Sequence, residues 1–298
     1  MRIAIAGGTG FIGEPLAARL AKENDVAILT RNPSRVRAGR GVAWDPPEQD
    51  VWADVVAAAD VVINLAGENI GQRWTKERKA RLVTSRVDST NALVEAMKSA
   101  PPRQRTFINA SAIGYYGSRG DEILTESAPA ADDFLGRVAK AWEEEAQAAE
   151  PLGVRVARLR IGMVLGKEGG ALGRMLLPFR LGVGGRLGSG EQWMSWIHIN
   201  DLVALIAFLM KESTVRGVFN ATSPFPATNR EFTRALAEAV HRPAIFPVPA
   251  FALKMMFGEM SEVLLASQRA IPDAAQRAGF VFQHPDIFAA LAQIAGGA

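Results

Sequence analysis

Over the first half of the chain, short and nearly continuous apolar runs alternate with longer stretches in which apolar residues recur every three or four positions. The runs at 2–6, 26–30, 61–65, 106–110 and 154–160 show little polar alternation. That pattern predicts strands buried on both faces, as in a parallel sheet flanked by helices. A weaker run at 42–44 falls where a third strand belongs. The intervening periodic segments, such as 11–22 and 85–97, predict the crossover helices. The fold class expected is therefore α/β, a Rossmann-type doubly wound parallel sheet with a smaller C-terminal α+β part.

The texture changes after Gly166. Residues 166–190 carry nine glycines, which predicts loops and turns around a lid or substrate pocket. Helical periodicity resumes over 201–211. Thr228-Asn229-Arg230-Glu231 has capping-box spacing ahead of a helix at 232–240. From Pro243 the chain is rich in Phe, Met and Pro. The organisation expected is a dinucleotide-binding part over 1–165 and a C-terminal substrate part over 166–298. The second part interleaves with the sheet and ends in a tail over 245–298.

The most informative motif follows the first run. Gly7-Gly8-Thr9-Gly10-Phe11-Ile12-Gly13 sits between a strand and a helix, with Gly7, Gly10 and Gly13 at three-residue spacing. Glycine there permits a tight turn, close approach of backbone to a pyrophosphate, and close packing of helix on strand. The helix N-terminus then offers free N–H donors to the phosphates. The second run ends at Thr30-Arg31, with Arg35 and Arg37 close behind. Cations at this point suit the 2′-phosphate of NADP, where an acidic residue would suit NAD. Asn64-Leu65-Ala66-Gly67 ends the fourth run near the switch point of such a sheet.

Composition narrows the function classes. Of 298 residues, 48% are hydrophobic and 22% charged, which fits a globular protein. Basic residues exceed acidic ones by only three, so the pI near 9.4 is no nucleic-acid footprint. There is no cysteine, which removes disulfides, thiolate metal sites and thiol nucleophiles together. The three histidines lack metal-ligand spacing. The longest apolar run, 202–210, is about half a membrane span. A cytoplasmic protein with a small-molecule substrate is expected, with no nucleic-acid partner, no membrane partner and no metal.

Taken together, these residues resemble the extended short-chain dehydrogenase/reductases, the group of nucleotide-sugar epimerases and dehydratases. More narrowly the chain resembles the YfcH-like epimerase family, which carries a C-terminal domain of unknown function. The markers run the length of the chain: Gly7 to Gly13, Asn64 to Gly67, Arg73-Trp74-Thr75, Ser85-Arg86, Ser111 to Gly117, Trp142-Glu143, Arg160-Ile161-Gly162 and Trp196 to Asp201. The resemblance implies a Rossmann domain that binds NADP. Gly7, Thr9, Gly10, Phe11, Ile12 and Gly13 would cradle the pyrophosphate, and Arg31 and Arg35 would meet the 2′-phosphate. Asp45 would reach the adenine, and Leu65, Ala66, Gly67 and Ile161 would line the nicotinamide side.

Enzymes of this superfamily use Tyr-x-x-x-Lys, in which the lysine lowers the phenol pKa and a nearby Ser or Thr holds the reacting oxygen. Here that motif is absent. The two tyrosines, Tyr115 and Tyr116, are followed four residues later by Arg119 and Gly120. The usual hydroxyl slot falls on Ala112, with Ser111 beside it. Lys140 is preceded four residues earlier by Gly136. Candidate catalytic residues are therefore Ser111, Tyr116 and Tyr115. Two function classes stay open: an NADP-dependent oxidoreductase or epimerase-like enzyme, and a catalytically silent NADP-binding scaffold or redox sensor.

Overall fold

The apolar runs of the first half become one sheet. The computed structural model describes residues 1–46, 50–101, 104–167 and 169–296. Its first half alternates β1 (Arg2–Ala6), α1 (Gly13–Leu20), β2 (Asp25–Thr30), β3 (Arg40–Ala43), α2 (Val51–Ala58), β4 (Val61–Asn64), α3 (Lys76–Lys98) and β5 (Arg105–Ala112). The chain continues through β6 (Ile123–Leu124), α4 (Phe134–Gln147), β7 (Val154–Ile161), β8 (Met163–Leu165) and α5 (Gly170–Arg180). Then come β9 (Trp193–Met194), β10 (Trp196–His198), α6 (Ile199–Lys211), β11 (Gly217–Ala221), β12 (Ala227–Thr228) and α7 (Asn229–Ala239). The last segment holds α8 (Ala250–Phe257), α9 (Ser261–Leu265), β13 (Arg269–Ala270), α10 (Asp273–Arg277) and α11 (Ile287–Ala295).

Seven strands form the central sheet in the order β11-β7-β5-β4-β1-β2-β3, and every pairing is parallel. This is the doubly wound Rossmann arrangement, with its switch point between β1 and β4. Alternation along each strand sorts the two faces. Ile3 and Ile5 meet Leu16, Leu20 and Leu202 on one face. Ala4 and Ala6 face Trp52, Val56 and Leu93 on the other. Small residues on the second face let α2 and α3 lie close to the sheet.

One expectation is corrected. The glycine-rich segment holds a regular helix, α5. Its glycines gather at the N-terminal end, and Leu172, Leu176 and Phe179 then recur at helical spacing and are buried. The seventh sheet strand, β11, comes from beyond residue 200 and joins the second part to the sheet, although no apolar run marked the strand itself. Among the described residues no helix is long and apolar enough to cross a membrane, and no cluster of His, Cys, Asp and Glu could hold a metal ion.

Candidate functional site

The turn from β1 into α1 has no room for side chains. Gly7 has φ +77°, and a Cβ there would lie 2.8 Å from the Leu65 carbonyl. At Gly13 a Cβ would come 2.3 Å from the Gly7 oxygen. The Gly10 N–H donates to that same oxygen at 3.1 Å. Strand β1, the loop after β4 and the start of α1 therefore pack backbone to backbone. No side chain caps α1; the Glu14 N–H is taken by the Gly10 carbonyl and Pro15 has none, so the N–H groups of Phe11, Ile12 and Gly13 are the ones left for an anion. Thr9 and Ile12 are half-buried in this turn. A Cβ at Gly166, Gly169 or Gly170 would come within 2.9 Å of the Phe11 ring. Those three glycines thus admit one aromatic side chain.

On one side of the turn, at the C-terminal ends of β2 and β3, stand Arg31, Arg35 and Asp45, all exposed. Among the described residues, the Arg31 and Arg35 side chains have no hydrogen-bond or ion-pair partner. Their neighbour Arg37 reaches Glu14 at 3.4 Å. Two cations kept free beside the glycine turn can receive a phosphate.

On the other side is the loop 65–71. Asn64 anchors its start: the Asn64 amide donates to Thr90 Oγ1 and Asn109 Oδ1, and its oxygen accepts from the Ala66 N–H. The Ser85 hydroxyl accepts from the Glu68 N–H at 3.0 Å. Arg86 turns inward from α3 and donates to the Leu82 and Glu68 carbonyls. Its guanidinium lies over the Trp142 ring and directly behind Gly67. Burial lowers its pKa to about 10, with Glu68 opposing, so it stays charged at neutral pH. Leu65 and Ala66 are half-buried and Gly67 is exposed, which opens this backbone to a ligand. Ile161, half-buried at the end of β7, sits two strands away.

Ser111 and Tyr116 enter a buried polar network. The Ser111 hydroxyl donates to Glu143 Oε1 at 2.7 Å. Arg160 donates to both oxygens of the same carboxylate, at 2.7 and 2.9 Å. The Tyr116 hydroxyl accepts from Arg160 at 2.9 Å and donates to Asn220 at 2.7 Å. Burial pushes the Tyr116 phenol up to about 12, although Arg160 and Asn220 pull the other way. Burial also works against the charge on Arg160, but Glu143 and Tyr116 outweigh it and raise its pKa above the ordinary value. Glu126 accepts from the Asn220 and Ala274 N–H groups; its burial raises its pKa. Strand alternation sends Ser111 to the α4 face, so its hydroxyl serves Glu143. Tyr115 is half-buried, with the Arg160 guanidinium 3.4 Å from its ring centre. Its hydroxyl has no partner among the described residues.

Other polar and aromatic side chains nearby have structural partners. Lys140 is exposed and pairs with Glu144 at 3.8 Å. Trp196 is buried and donates to the Phe225 carbonyl. Trp193 donates to Asp121 and lies under Arg269. Sequence reasoning missed the couplings of Glu143, Arg160, Asn220 and Glu126. One signal was available, since β7 carries three arginines, Arg155, Arg158 and Arg160, in a strand with a neighbour on either side.

Residues 3–222 match the model of the NAD dependent epimerase/dehydratase family. Residues 248–294 match a domain of unknown function, DUF1731. Epimerase family protein MW0731 of Staphylococcus aureus strain MW2 is 40% identical over 290 residues, 96% of each chain. The crystal structure of human epimerase family protein SDR39U1 (isoform2) with NADPH superposes with a TM-score of 0.88 at 33% identity, covering 100% of both chains. The nucleoside-diphosphate sugar epimerase from Corynebacterium glutamicum superposes with a TM-score of 0.79 at 33% identity. That match covers 99% of this chain and 58% of the other.

Proposed function

The chain belongs to the NAD dependent epimerase/dehydratase family, and from that premise we propose that it binds NADP(H) and uses it to oxidise or reduce a small polar alcohol or carbonyl, free or nucleotide-linked. The observation that carries this reading is the side-chain-free cradle of Gly7, Gly10 and Gly13, flanked by the uncapped start of α1 and the unpaired Arg31 and Arg35. The backbone of Thr9, Phe11 and Ile12 completes the pyrophosphate contact. Arg31 and Arg35 take the 2′-phosphate, and Asp45 meets the adenine. Leu65, Ala66, Gly67 and Ile161 border the nicotinamide. Human SDR39U1, similar over its full length, was crystallised with NADPH, which supports the choice of NADP. The Corynebacterium relative's name supports a nucleotide-linked substrate.

When bound, NADPH supplies a hydride; the chain's own residues must supply orientation and a proton. Ser111 and Tyr116 are committed to Glu143, Arg160 and Asn220, and act as positioning residues. Tyr115 keeps a free hydroxyl, and its ring stacks on a permanent cation. Tyr115 is therefore the proton donor of this reading. The test is NADPH oxidation across a panel of small carbonyls and nucleotide sugars. Wild type should turn over, and Tyr115→Phe should lose about 10²-fold or more in rate with unchanged NADPH affinity. A second reading, a silent NADP-binding scaffold or redox sensor, is favoured by the engagement of Ser111 and Tyr116. Tight NADPH binding without turnover on any substrate would select it.

A further inference from the structure

Two segments, 169–190 and 239–258, share a surface of the molecule while Leu172, Leu176, Phe179 and Leu253 anchor them in its interior. They pair with each other: the Gly188 N–H donates to the Val248 carbonyl and the Val248 N–H to the Arg186 carbonyl, both at 2.9 Å. Arg242 donates to the Arg180 carbonyl, and Gly185 meets the Phe246 backbone so closely that no Cβ fits. Together they hold 42 residues with five Lys and Arg and no Asp or Glu. Outside them, acidic residues outnumber basic ones by two. Glu168, Glu191, Glu238 and Glu259 border the two segments in sequence, so the excess positive charge belongs to the segments themselves and not to their edges.

The five cations, Arg174, Arg180, Arg186, Arg242 and Lys254, are exposed, and none has a carboxylate partner among the described residues. The same surface carries eight of the thirteen exposed large hydrophobic side chains of the described residues. Leu181, Ile245, Phe251 and Met255 are each more than 65% exposed. Exposed apolar side chains interspersed along the same segments with cations that lack carboxylate partners match a lipid bilayer with anionic headgroups. A second copy does not fit, because a two-fold contact would set this surface against itself, cation against cation. Helix α8 has eight residues and is roughly 12 Å long, enough to lie on a membrane and too short to cross one.

We propose that the paired segments 169–190 and 239–258 form a membrane-surface contact, with apolar side chains entering the headgroup boundary and the cations meeting anionic lipid. Cosedimentation of the whole protein with vesicles tests this independently of the cofactor reading. Vesicles of phosphatidylcholine with phosphatidylglycerol should bind at least tenfold more protein than phosphatidylcholine alone. Raising salt from about 0.1 to about 0.5 M should weaken that binding several-fold, because screening shortens electrostatic reach. Met255→Ser with Met256→Ser, and separately Arg180→Glu with Arg242→Glu, should each lower binding at least fivefold, while NADPH affinity and unfolding temperature stay unchanged. Equal binding to both vesicles, or to neither, would overturn the proposal. So would a concentration-dependent dimer that the methionine variant abolishes while vesicles go unbound.

Discussion

Glu143 and Arg160 form the buried ion pair around which the site is arranged, with side chains 5% and 3% exposed. Arg160 makes four hydrogen bonds: two go to Glu143, one to Tyr116 and one to the Glu126 carbonyl. Such a pair contributes little net stability when intact, because desolvation offsets its attraction. Removing one partner is a different matter, since it strands the other charge in the interior. Glu143→Ala should destabilise the protein by about 3–5 kcal/mol, read by denaturant unfolding at neutral pH. A loss below about 1 kcal/mol would mean that water reaches Arg160. Tyr115 rests on the same arginine, whose guanidinium lies under its ring.

The start of α6 joins the C-terminal tail to the sheet domain. His198 caps the helix through Nδ1, which accepts from the Asn200 N–H at 3.1 Å. Three residues on, Asp201 accepts from the Gln283 and His284 N–H groups. The His198 and His284 rings stack with centres 4.0 Å apart. Burial lowers the His198 pKa to about 4; His284 adds to the shift and Asp201 opposes it. The unfolded chain, with an ordinary histidine, takes up a proton near pH 6.5 that the folded chain refuses until about pH 4. Below pH 6.5 protonation therefore favours unfolding, and stability falls as pH falls through that window. The loss at pH 5 should be about 2 kcal/mol. His198→Asn keeps a capping oxygen and cannot titrate, so it should flatten the fall in unfolding temperature between pH 7 and pH 5. An unchanged slope would assign the acid sensitivity to other groups.

At the level of the whole molecule, the sheet domain was readable because strands buried on both faces leave unbroken apolar runs. The glycine turn was readable because steric exclusion leaves no other residue type for those positions. The capping box at Thr228 and Glu231 also forms as its spacing predicts. What escaped has a common cause, which is dependence on distant residues. Strand β11 is five residues long, includes a glycine, and is fixed only by pairing with β7. Helix α5 hides behind glycines that serve Phe11, more than 150 positions earlier in the chain. Tyr116 and Asn220 stand 104 positions apart, so nothing local marks the phenol as engaged.

The central claim is that the glycine cradle and the free arginines beyond β2 make a site for NADP. Titration calorimetry with NADPH and NADH, on wild type and on Arg31→Ala with Arg35→Ala, tests it directly. Wild type should bind NADPH at least tenfold more tightly than NADH, since charge-assisted contacts to the 2′-phosphate exist only with the former. The double variant should lose that preference while keeping its NADH affinity, because the pyrophosphate contacts are untouched. Equal affinities in wild type, or a preference that survives loss of both arginines, would contradict the account.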